Sequence, residues 1–215
     1  GENIGLFTSL HTKSLECLEI SISKELLKLA DTYFKPGSYK EESNTYQVEL
    51  MHARTIFGKA KGQSLHLDSR LCGVYPPLML HFFVYLTDCS LKGSGATQFV
   101  PKSHKLNRYS NESDKENTDI IHGKEGTIIA LNSSTFHGST NKTTLGNRSI
   151  LTLAYSRWWI RQQWAVPYSP TWPRRLTKEE KYLLGFYNYA DISPESRGSL
   201  SSRGELPNLI PSQQI

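Results

Sequence analysis

A series of short strand-like segments, each bounded by turn residues, limits the folds open to this chain more than any other feature of its sequence. Four segments either alternate apolar with polar residues or are rich in aromatic and β-branched ones: 46–50, 78–86, 126–131 and 149–155. Pro76-Pro77 and Gly93-Ser94-Gly95 interrupt the chain between them. Short strands separated by such turns are typical of β-sandwiches and jelly rolls. We therefore predict a mainly β fold with packing helices.

Helical signals lie near the two ends of the chain. Four apolar residues recur with helical spacing after Ser21 and Ser23, either of which could cap the helix: Leu26, Leu27, Ala30 and Phe34. Thr177 and Glu180 form a capping box, which predicts a short helix that Gly185 would end. We expect the first of these helices to pack against the strands.

The length of 215 residues is that of one ordinary domain with a large core. We expect a single domain over 1–215, with its core at 46–190 and an irregular tail at 193–215 that is rich in Ser, Pro and Gly. The polar stretch at 106–119 has little to bury, which predicts a surface loop that could serve as a lid. Because the chain begins without Met, we also expect that an upstream segment has been removed.

Membrane-spanning and disulfide-stabilised folds are excluded by simple counts. No run approaches the roughly 18 apolar residues that cross a bilayer, since the longest candidate, 78–86, contains His81. The cysteines are odd in number and widely spaced, which predicts neither a disulfide framework nor a cysteine zinc site: Cys17, Cys72 and Cys89. We expect a cytoplasmic protein with no membrane partner.

Positive charge is concentrated in one segment of the chain. The net charge is +5, and six Lys or Arg residues stand against two Glu residues between positions 157 and 182. Such a cluster forms either a solvated face or a surface that attracts an anionic substrate or a nucleic-acid backbone. The sequence leaves both interpretations open.

His66 and Asp68 are separated by a single residue. On an extended chain this spacing points both side chains to the same face. A neutral imidazole and a carboxylate are two of the three ligands in the facial triads that hold non-haem Fe(II). So short a motif also recurs by chance, and the prediction of a metal site needs support from elsewhere in the chain.

A third ligand would have to come from another strand, and His137 lies just beyond the segment at 126–131. A histidine bonded to loop backbone would look the same in sequence. Arg148 follows eleven residues later, at the start of an otherwise apolar strand. A guanidinium inside a barrel is costly unless it meets a carboxylate, and its planar fork suits one. A dicarboxylate co-substrate would satisfy this arginine.

Several motifs in the segment 63–157 agree in order with one known family. His66-Leu67-Asp68 matches a His-x-Asp motif, and His137-Gly138 matches a distal His-Gly that precedes an arginine, here Arg148. Three intervening motifs also match: Asp88, Gly95-Ala96-Thr97 and the run from Val100 to Lys105. The segment resembles the phytanoyl-CoA dioxygenase-like family of Fe(II)- and 2-oxoglutarate-dependent oxygenases, and the resemblance extends over about residues 46–190.

The resemblance implies a double-stranded β-helix, that is, a cupin-like jelly roll. It implies that His66, Asp68 and His137 bind Fe(II), that Arg148 pairs with the C5 carboxylate of 2-oxoglutarate, and that O2 is the other co-substrate. Asp68 favours oxygen transfer over halogenation, because related halogenases replace this carboxylate by a small residue.

Two further positions match family residues that lie near the co-substrate. These are Gln63, three residues before the first histidine, and Thr97 of the Gly-Ala-Thr motif. A solvated loop amide would explain Gln63 equally well, and a turn residue would explain Thr97. Ser149 is next to Arg148 and should therefore point to the opposite face of its strand.

The function predicted is that of a non-haem Fe(II)- and 2-oxoglutarate-dependent dioxygenase. It would hydroxylate or otherwise oxidise a small-molecule substrate and release succinate and CO2. The basic segment is compatible with an anionic substrate. Two alternatives stay open: a non-catalytic metal- or ligand-binding jelly roll, and a nucleic-acid oxidative demethylase. Arg148 favours the enzyme over a binding protein, and only the basic segment supports nucleic acid.

Overall fold

Eight β-strands and three α-helices lie in the part of the chain that the computed structural model describes, residues 4–36, 45–69, 71–163 and 172–186. The strands are β1 (Ile4–Thr8), β2 (Tyr46–Phe57), β3 (Met79–Tyr85), β4 (Thr97–Phe99), β5 (Asp119–Ile121), β6 (Ile128–Asn132), β7 (His137–Ser139) and β8 (Asn147–Arg157). The helices are α1 (Leu15–Ser21), α2 (Lys24–Phe34) and α3 (Lys178–Leu183). The described residues divide into two compact units, one within 1–8 and 51–154 and the other within 9–50 and 155–215, so β2 and β8 contribute to both.

The first unit is built from two sheets. One sheet has the strand order β1-β2-β8-β3-β6, and a smaller one has the order β5-β4-β7. In the antiparallel pairing of β3 with β6, Phe83 lies opposite Ile129, and in that of β4 with β7, Gln98 lies opposite Gly138. Neighbouring strands that are not consecutive in sequence are typical of a jelly roll, as the sequence predicts.

The core of this unit forms where alternate residues of the strands turn inward. Its buried cluster joins both sheets: Phe83, Tyr85, Cys89, Ala96, Ile129, Leu131 and Ile150, with Ile121 packed against it. His81 precedes Phe83 by two residues, faces the same side of β3 and is 2% exposed. His81, a polar residue of β3, therefore faces the interior of this unit.

The helices belong to the second unit, and two of them follow the sequence signals. α2 starts after Ser23 and buries three of the four predicted residues, Leu26, Ala30 and Phe34. At α3 the capping box between Thr177 and Glu180 is formed, and Gly185 follows with a φ of +84°. Neither α1 nor β1 was predicted, because 7 residues are too few to establish a helical period and the sequence of β1, Ile-Gly-Leu-Phe-Thr, does not alternate apolar with polar residues.

The polar stretch at 106–119 lies at the surface, as predicted, but it is folded. Glu112–Asn117 form a 3₁₀ helix with a capping box between Asn111 and Asp114. Asp114 is buried, contrary to expectation, because Arg108 satisfies its carboxylate through two hydrogen bonds of 2.8 and 2.7 Å. The role of this stretch as a lid stays a prediction.

Two other expectations have a partial outcome. No helix in the described ranges is long and apolar enough to cross a membrane. The tail predicted at 193–215 lies outside the described residues. A single domain over 1–215 with its core at 46–190 stays a prediction.

Candidate metal centre

Three predicted ligands meet at one place in the first unit. His66 and Asp68 lie between β2 and β3, and His137 is the first residue of β7. Nε2 of His66 is 3.5 Å from Oδ1 of Asp68, and Nε2 of His137 is 3.3 Å from Oδ2. One ligand atom from each of the three residues lies within 4.8 Å of the other two. The structure therefore brings together all three residues that the sequence analysis selected.

Each imidazole is held by the backbone of its own segment. Nδ1 of His66 lies 2.9 Å from the carbonyl oxygen of Ser64, and Nδ1 of His137 lies 2.9 Å from that of Thr135. Because a carbonyl only accepts, Nδ1 carries the proton and Nε2 keeps its lone pair in each neutral ring. Hydrogen bonds of this kind fix the tautomer and direction of metal-binding histidines. Both Nε2 atoms face Asp68.

Gly138 allows the two ligand-bearing segments to lie side by side. A Cβ at this position would be 2.4 Å from the carbonyl oxygen of Gln63 and 2.9 Å from that of Ser64. No side chain fits at such distances, so the position requires glycine. The His-Gly motif thus has a steric cause, since the glycine makes room for the loop that carries the first histidine.

Asp68 is the electrostatic centre of the cluster. Burial raises the pKa of Asp68, but its contacts with the imidazoles of His137, His66 and His81 outweigh burial and hold that pKa well below its usual range. Asp68 is therefore a carboxylate at neutral pH. Two imidazoles and one carboxylate with remaining open positions are the ligand set of non-haem Fe(II) oxygenases.

His81 is a third imidazole at this centre and was not assigned from the sequence. Its Nε2 lies 3.4 Å from Oδ2 of Asp68. Burial lowers the pKa of His81 to about 4, so the ring is neutral at pH 7. Strand alternation places His81 with Phe83 and Tyr85, but only the packing of β3 shows that this face is inward.

Arg148 is buried in the same unit and has no carboxylate partner among the described residues. It is 6% exposed, and its Nε has no hydrogen-bond partner there. The groups that act most on its charge are Cys89 and Tyr85. Burial raises the pKa of both the Cys89 thiol and the Tyr85 hydroxyl, so neither supplies a counter-charge at neutral pH. The guanidinium thus has no counter-charge from these groups, and its pairing with a dicarboxylate stays a prediction.

Two neighbours explain how Arg148 is accommodated. Gly95 has a φ of +81°, and a Cβ there would lie 3.3 Å from Cβ of Lys142 and 3.8 Å from Cγ of Arg148. The glycine of the Gly-Ala-Thr motif therefore lets the chain pass close to the arginine stem. Ser149 points to the other side of β8, where its Oγ is 2.9 Å from Oγ1 of Thr55, as expected from strand alternation.

The structure places Gln63 at the metal centre but shows no such contact for Thr97. Nε2 of Gln63 lies 3.4 Å from Nε2 of His66, and its Oε1 accepts a hydrogen bond of 3.2 Å from Arg54. Thr97 is buried at the start of β4, where its backbone N–H donates to the hydroxyl of Tyr85. The proximity of Thr97 to a co-substrate stays a prediction.

All six predicted site residues fall inside one family match. A family model described as phytanoyl-CoA dioxygenase (PhyH) matches residues 1–150. The chain belongs to the phytanoyl-CoA dioxygenase family. The matched range starts earlier than the extent of 46–190 expected from the motifs, so it includes α1 and α2. It also ends earlier, within β8. No curated protein matches the sequence.

Solved structures share the fold of this family member. HygX from Streptomyces hygroscopicus, with nickel and 2-oxoglutarate bound, is 16% identical over 74% of this chain and 72% of HygX, with a TM-score of 0.61. The non-heme alpha-ketoglutarate-dependent epimerase SnoN from nogalamycin biosynthesis is 14% identical over 82% and 74%, with a TM-score of 0.62. EctD from S. alaskensis is 18% identical over 76% and 61%, with a TM-score of 0.59. These similarities confirm the double-stranded β-helix.

The residues at the centre fit the cofactors of the family. Two Nε2 atoms and one carboxylate provide a facial triad, and the unpaired guanidinium of Arg148 suits the distal carboxylate of a dicarboxylate. The cofactors are Fe(II), 2-oxoglutarate and O2. The chain is thus an oxidoreductase and belongs to the Fe(II)- and 2-oxoglutarate-dependent oxygenases.

Two cations of the basic segment at 157–182 are engaged by other residues of the second unit. Arg157 is buried, donates to the carbonyl oxygen of Phe34 and lies over its ring. Arg174 makes two hydrogen bonds, of 2.9 and 2.7 Å, with the carboxylate of Glu180. Two of the six cations are therefore engaged within the second unit, which weakens the argument for an anionic or nucleic-acid partner at this segment.

Proposed function

We propose that this phytanoyl-CoA dioxygenase family member hydroxylates a small molecule, with His66, Asp68 and His137 as the ligands of Fe(II). The observation that carries the proposal is the convergence of these three side chains in the same unit as a buried, unpaired Arg148. Three protein ligands leave three of the six positions of iron for exchangeable ligands. With 2-oxoglutarate and O2, the bound iron would supply the oxidant for a substrate C–H bond. One oxygen atom would enter the substrate, and 2-oxoglutarate would be converted to succinate and CO2.

The residues around the triad would orient the ligands and exclude water. The backbone carbonyls of Ser64 and Thr135 hold the two imidazoles by their Nδ1 protons. His81, whose Nε2 lies 3.4 Å from Oδ2 of Asp68, would limit the rotation of this carboxylate. The ring of Phe83, 5.4 Å from that of His137, covers one side of the centre with apolar surface.

Three residues would bind the co-substrate. Arg148 would pair with the C5 carboxylate of 2-oxoglutarate, in place of the partner it lacks. The amide of Gln63 is oriented by Arg54: because a guanidinium only donates, the atom facing it is oxygen, and the NH2 group faces His66. We propose that this NH2 group donates to the co-substrate and that the Thr97 hydroxyl lies near it.

Two solved structures and several side chains bear on the substrate and the reaction outcome. One structure of HygX has hygromycin B bound, which favours a small-molecule substrate here too. SnoN is an epimerase, so C–H oxidation on this fold does not always end in hydroxylation. The presence of Asp68 argues against halogenation. Arg148 argues against a non-catalytic jelly roll, and the engaged Arg157 and Arg174 argue against a nucleic-acid demethylase.

The test is an anaerobic titration of the Fe(II)-loaded protein with 2-oxoglutarate, following the visible charge-transfer band that chelation produces. Arg148→Ala should weaken 2-oxoglutarate binding by about 10- to 100-fold, because it removes charge-assisted hydrogen bonds. Its Fe(II) affinity should be unchanged. Ser149→Ala is the matched control and should bind both as the wild type does, since Ser149 faces Thr55.

Two results would contradict the proposal. An iron-loaded wild type that gives no band would favour a non-oxidative jelly roll. An Arg148→Ala variant with unchanged 2-oxoglutarate affinity would remove the arginine from the co-substrate site. If the band is present, release of succinate in a screen of small molecules would then identify the substrate.

A further inference from the structure

Arg54 is a second arginine at the metal centre, and the proposed triad and co-substrate site do not account for it. It lies on β2, opposite Leu6 of β1, and is half-buried. Its Nη1 is 3.2 Å from Oε1 of Gln63, whose amide nitrogen is 3.4 Å from Nε2 of His66. Two short contacts therefore connect this guanidinium to an atom that faces the metal position.

The direction of Arg54 follows from the alternation of β2. Thr55 contacts Ser149 on one side of the sheet, so Arg54 and Arg148, each adjacent to one of them, face the other side. The charge of Arg54 acts electrostatically on both His66 and Arg148. The two arginines thus repel each other across the same space, and a counter-charge nearby would stabilise both.

Protein carboxylates do not supply that counter-charge. Arg54 forms no ion pair within the described ranges, whereas Arg108 and Arg174 each pair with a carboxylate. Among the described contacts, a single hydrogen bond, to the neutral amide of Gln63, uses one of the five N–H donors of Arg54. The remaining donors and the whole charge are free to interact with a ligand.

When the formal charges of the loaded centre are added, the positive charge of Arg54 is not balanced. Fe(II) and Arg148 together balance Asp68 and the dianion 2-oxoglutarate, so among these described charges that of Arg54 has no opposite. We propose that Arg54 binds an oxyanion of the substrate, a carboxylate or a phosphate, and so selects anionic molecules. This inference rests on the proposed function and deepens it by naming the substrate class.

The test uses acetate and methylphosphonate as anionic probes and acetamide as the neutral one. Each is titrated into Zn(II)-loaded, ¹⁵N-labelled protein saturated with 2-oxoglutarate, so that Arg148 is occupied. The Nε–Hε NMR signals of the arginines report binding. At least one of the two anions should bind the wild type saturably, and Arg54→Gln should weaken that binding about tenfold or more. Acetamide should leave the positions of the arginine signals unchanged. Which anion binds more tightly distinguishes a carboxylate from a phosphate substrate.

Two control variants separate binding by Arg54 from other effects. Arg175→Gln removes an exposed arginine of the second unit and should leave anion binding unchanged. Gln63→Ala removes the amide that Arg54 orients but keeps the charge, and should retain anion binding within about threefold, since the amide contact is neutral. Equal loss in Gln63→Ala and Arg54→Gln would show that Arg54 acts only through Gln63 and would overturn the proposal.

The failures of the two proposals are distinguishable. A wild type that binds 2-oxoglutarate but neither anion, or an Arg54→Gln variant that binds anions as the wild type does, overturns the role of Arg54 alone. An Arg54→Gln variant that loses 2-oxoglutarate affinity instead would reassign Arg54 to the co-substrate. A wild type that does not bind 2-oxoglutarate overturns both proposals.

Discussion

The backbone of His66 pairs with the backbone of His137 through two reciprocal hydrogen bonds, with N···O distances of 2.9 and 2.8 Å. The imidazole rings consequently lie side by side, 4.4 Å apart between centroids. A backbone pair is short and rigid, so the separation of the two rings does not depend on flexible loops. The backbone thus sets the relative position of the two histidines.

Removal of either histidine should abolish Fe(II) binding. His137→Ala leaves two ligands, which is insufficient for a facial triad. Fe(II) affinity is measured anaerobically by calorimetry, together with the thermal unfolding midpoint to verify folding. His104→Ala is the matched control: His104 lies in the 3₁₀ helix Ser103–Lys105, outside the cluster, and this variant should bind Fe(II) normally. Full Fe(II) affinity in His137→Ala would contradict the triad.

His81→Phe should weaken metal binding without removing a ligand. The change keeps a ring at a buried position but deletes the nitrogen that lies 3.4 Å from Oδ2 of Asp68. Loss of an outer contact that supports a metal ligand typically costs about 10- to 100-fold in metal affinity. We expect a loss of that size for Zn(II), measured by competition with a chromophoric chelator. Wild-type affinity in a folded His81→Phe variant would mean that the contact does not support Asp68.

Gly138→Ala should disturb the centre through the backbone. Its Cβ would overlap the carbonyl oxygen of Gln63 at 2.4 Å, so the loop that carries His66 must move. We expect a loss of stability on the order of 1–3 kcal/mol and weaker metal binding, measured by urea unfolding and by Zn(II) competition. Gly5→Ala is the control, because its Cβ would meet only ring atoms of Phe7 and Phe57, which can shift. Unchanged metal affinity in Gly138→Ala would refute the steric explanation of the His-Gly motif.

Glu49 should make the second unit less stable as pH rises. Its buried carboxyl accepts hydrogen bonds from Ser156 and Gln163, yet burial raises the pKa of Glu49 from 4.5 to about 7. Because the folded state holds the proton more tightly, this residue contributes stability that is fully present below pH 4.5 and is lost as pH rises to about 7. Glu49→Gln cannot ionise and should escape that loss, which is on the order of 3 kcal/mol.

The measurement is urea unfolding of both proteins between pH 4 and 8, taken as a difference so that all other titrating groups cancel. Glu179→Gln changes an exposed carboxylate and should show no such divergence from the wild type. Parallel curves for Glu49→Gln and the wild type would contradict the prediction.

Much of the candidate site could be read from the sequence because its signals are local. One intervening residue on an extended chain places His66 and Asp68 on the same face, and His137-Gly138 with Arg148 repeats a family pattern at a set spacing. The structure confirms that the first three converge and that Arg148 is buried without a carboxylate partner in the described part. Their roles toward iron and 2-oxoglutarate stay predictions.

His81 and Arg54 could not be assigned in this way. Strand alternation states that His81 shares a face with Phe83, but not whether that face is buried or exposed. The answer depends on β3 lying between β8 and β6, strands that begin many residues later in the chain. For the same reason, an arginine in β2 reads as an ordinary surface residue until its neighbour Gln63 is seen beside His66.

Period, capping and motif spacing act over a few residues, and they were sufficient for the fold class, two of the three described helices and the selection of three side chains that converge. The packed sheets were needed to show which further polar side chains face those ligands. That information is absent from any single segment, because burial of the apolar cluster around Phe83 and Ile150 depends on contacts between strands distant in sequence. The same burial brings His81 to Asp68, leaves Arg148 without a counter-charge and turns Arg54 toward the metal centre.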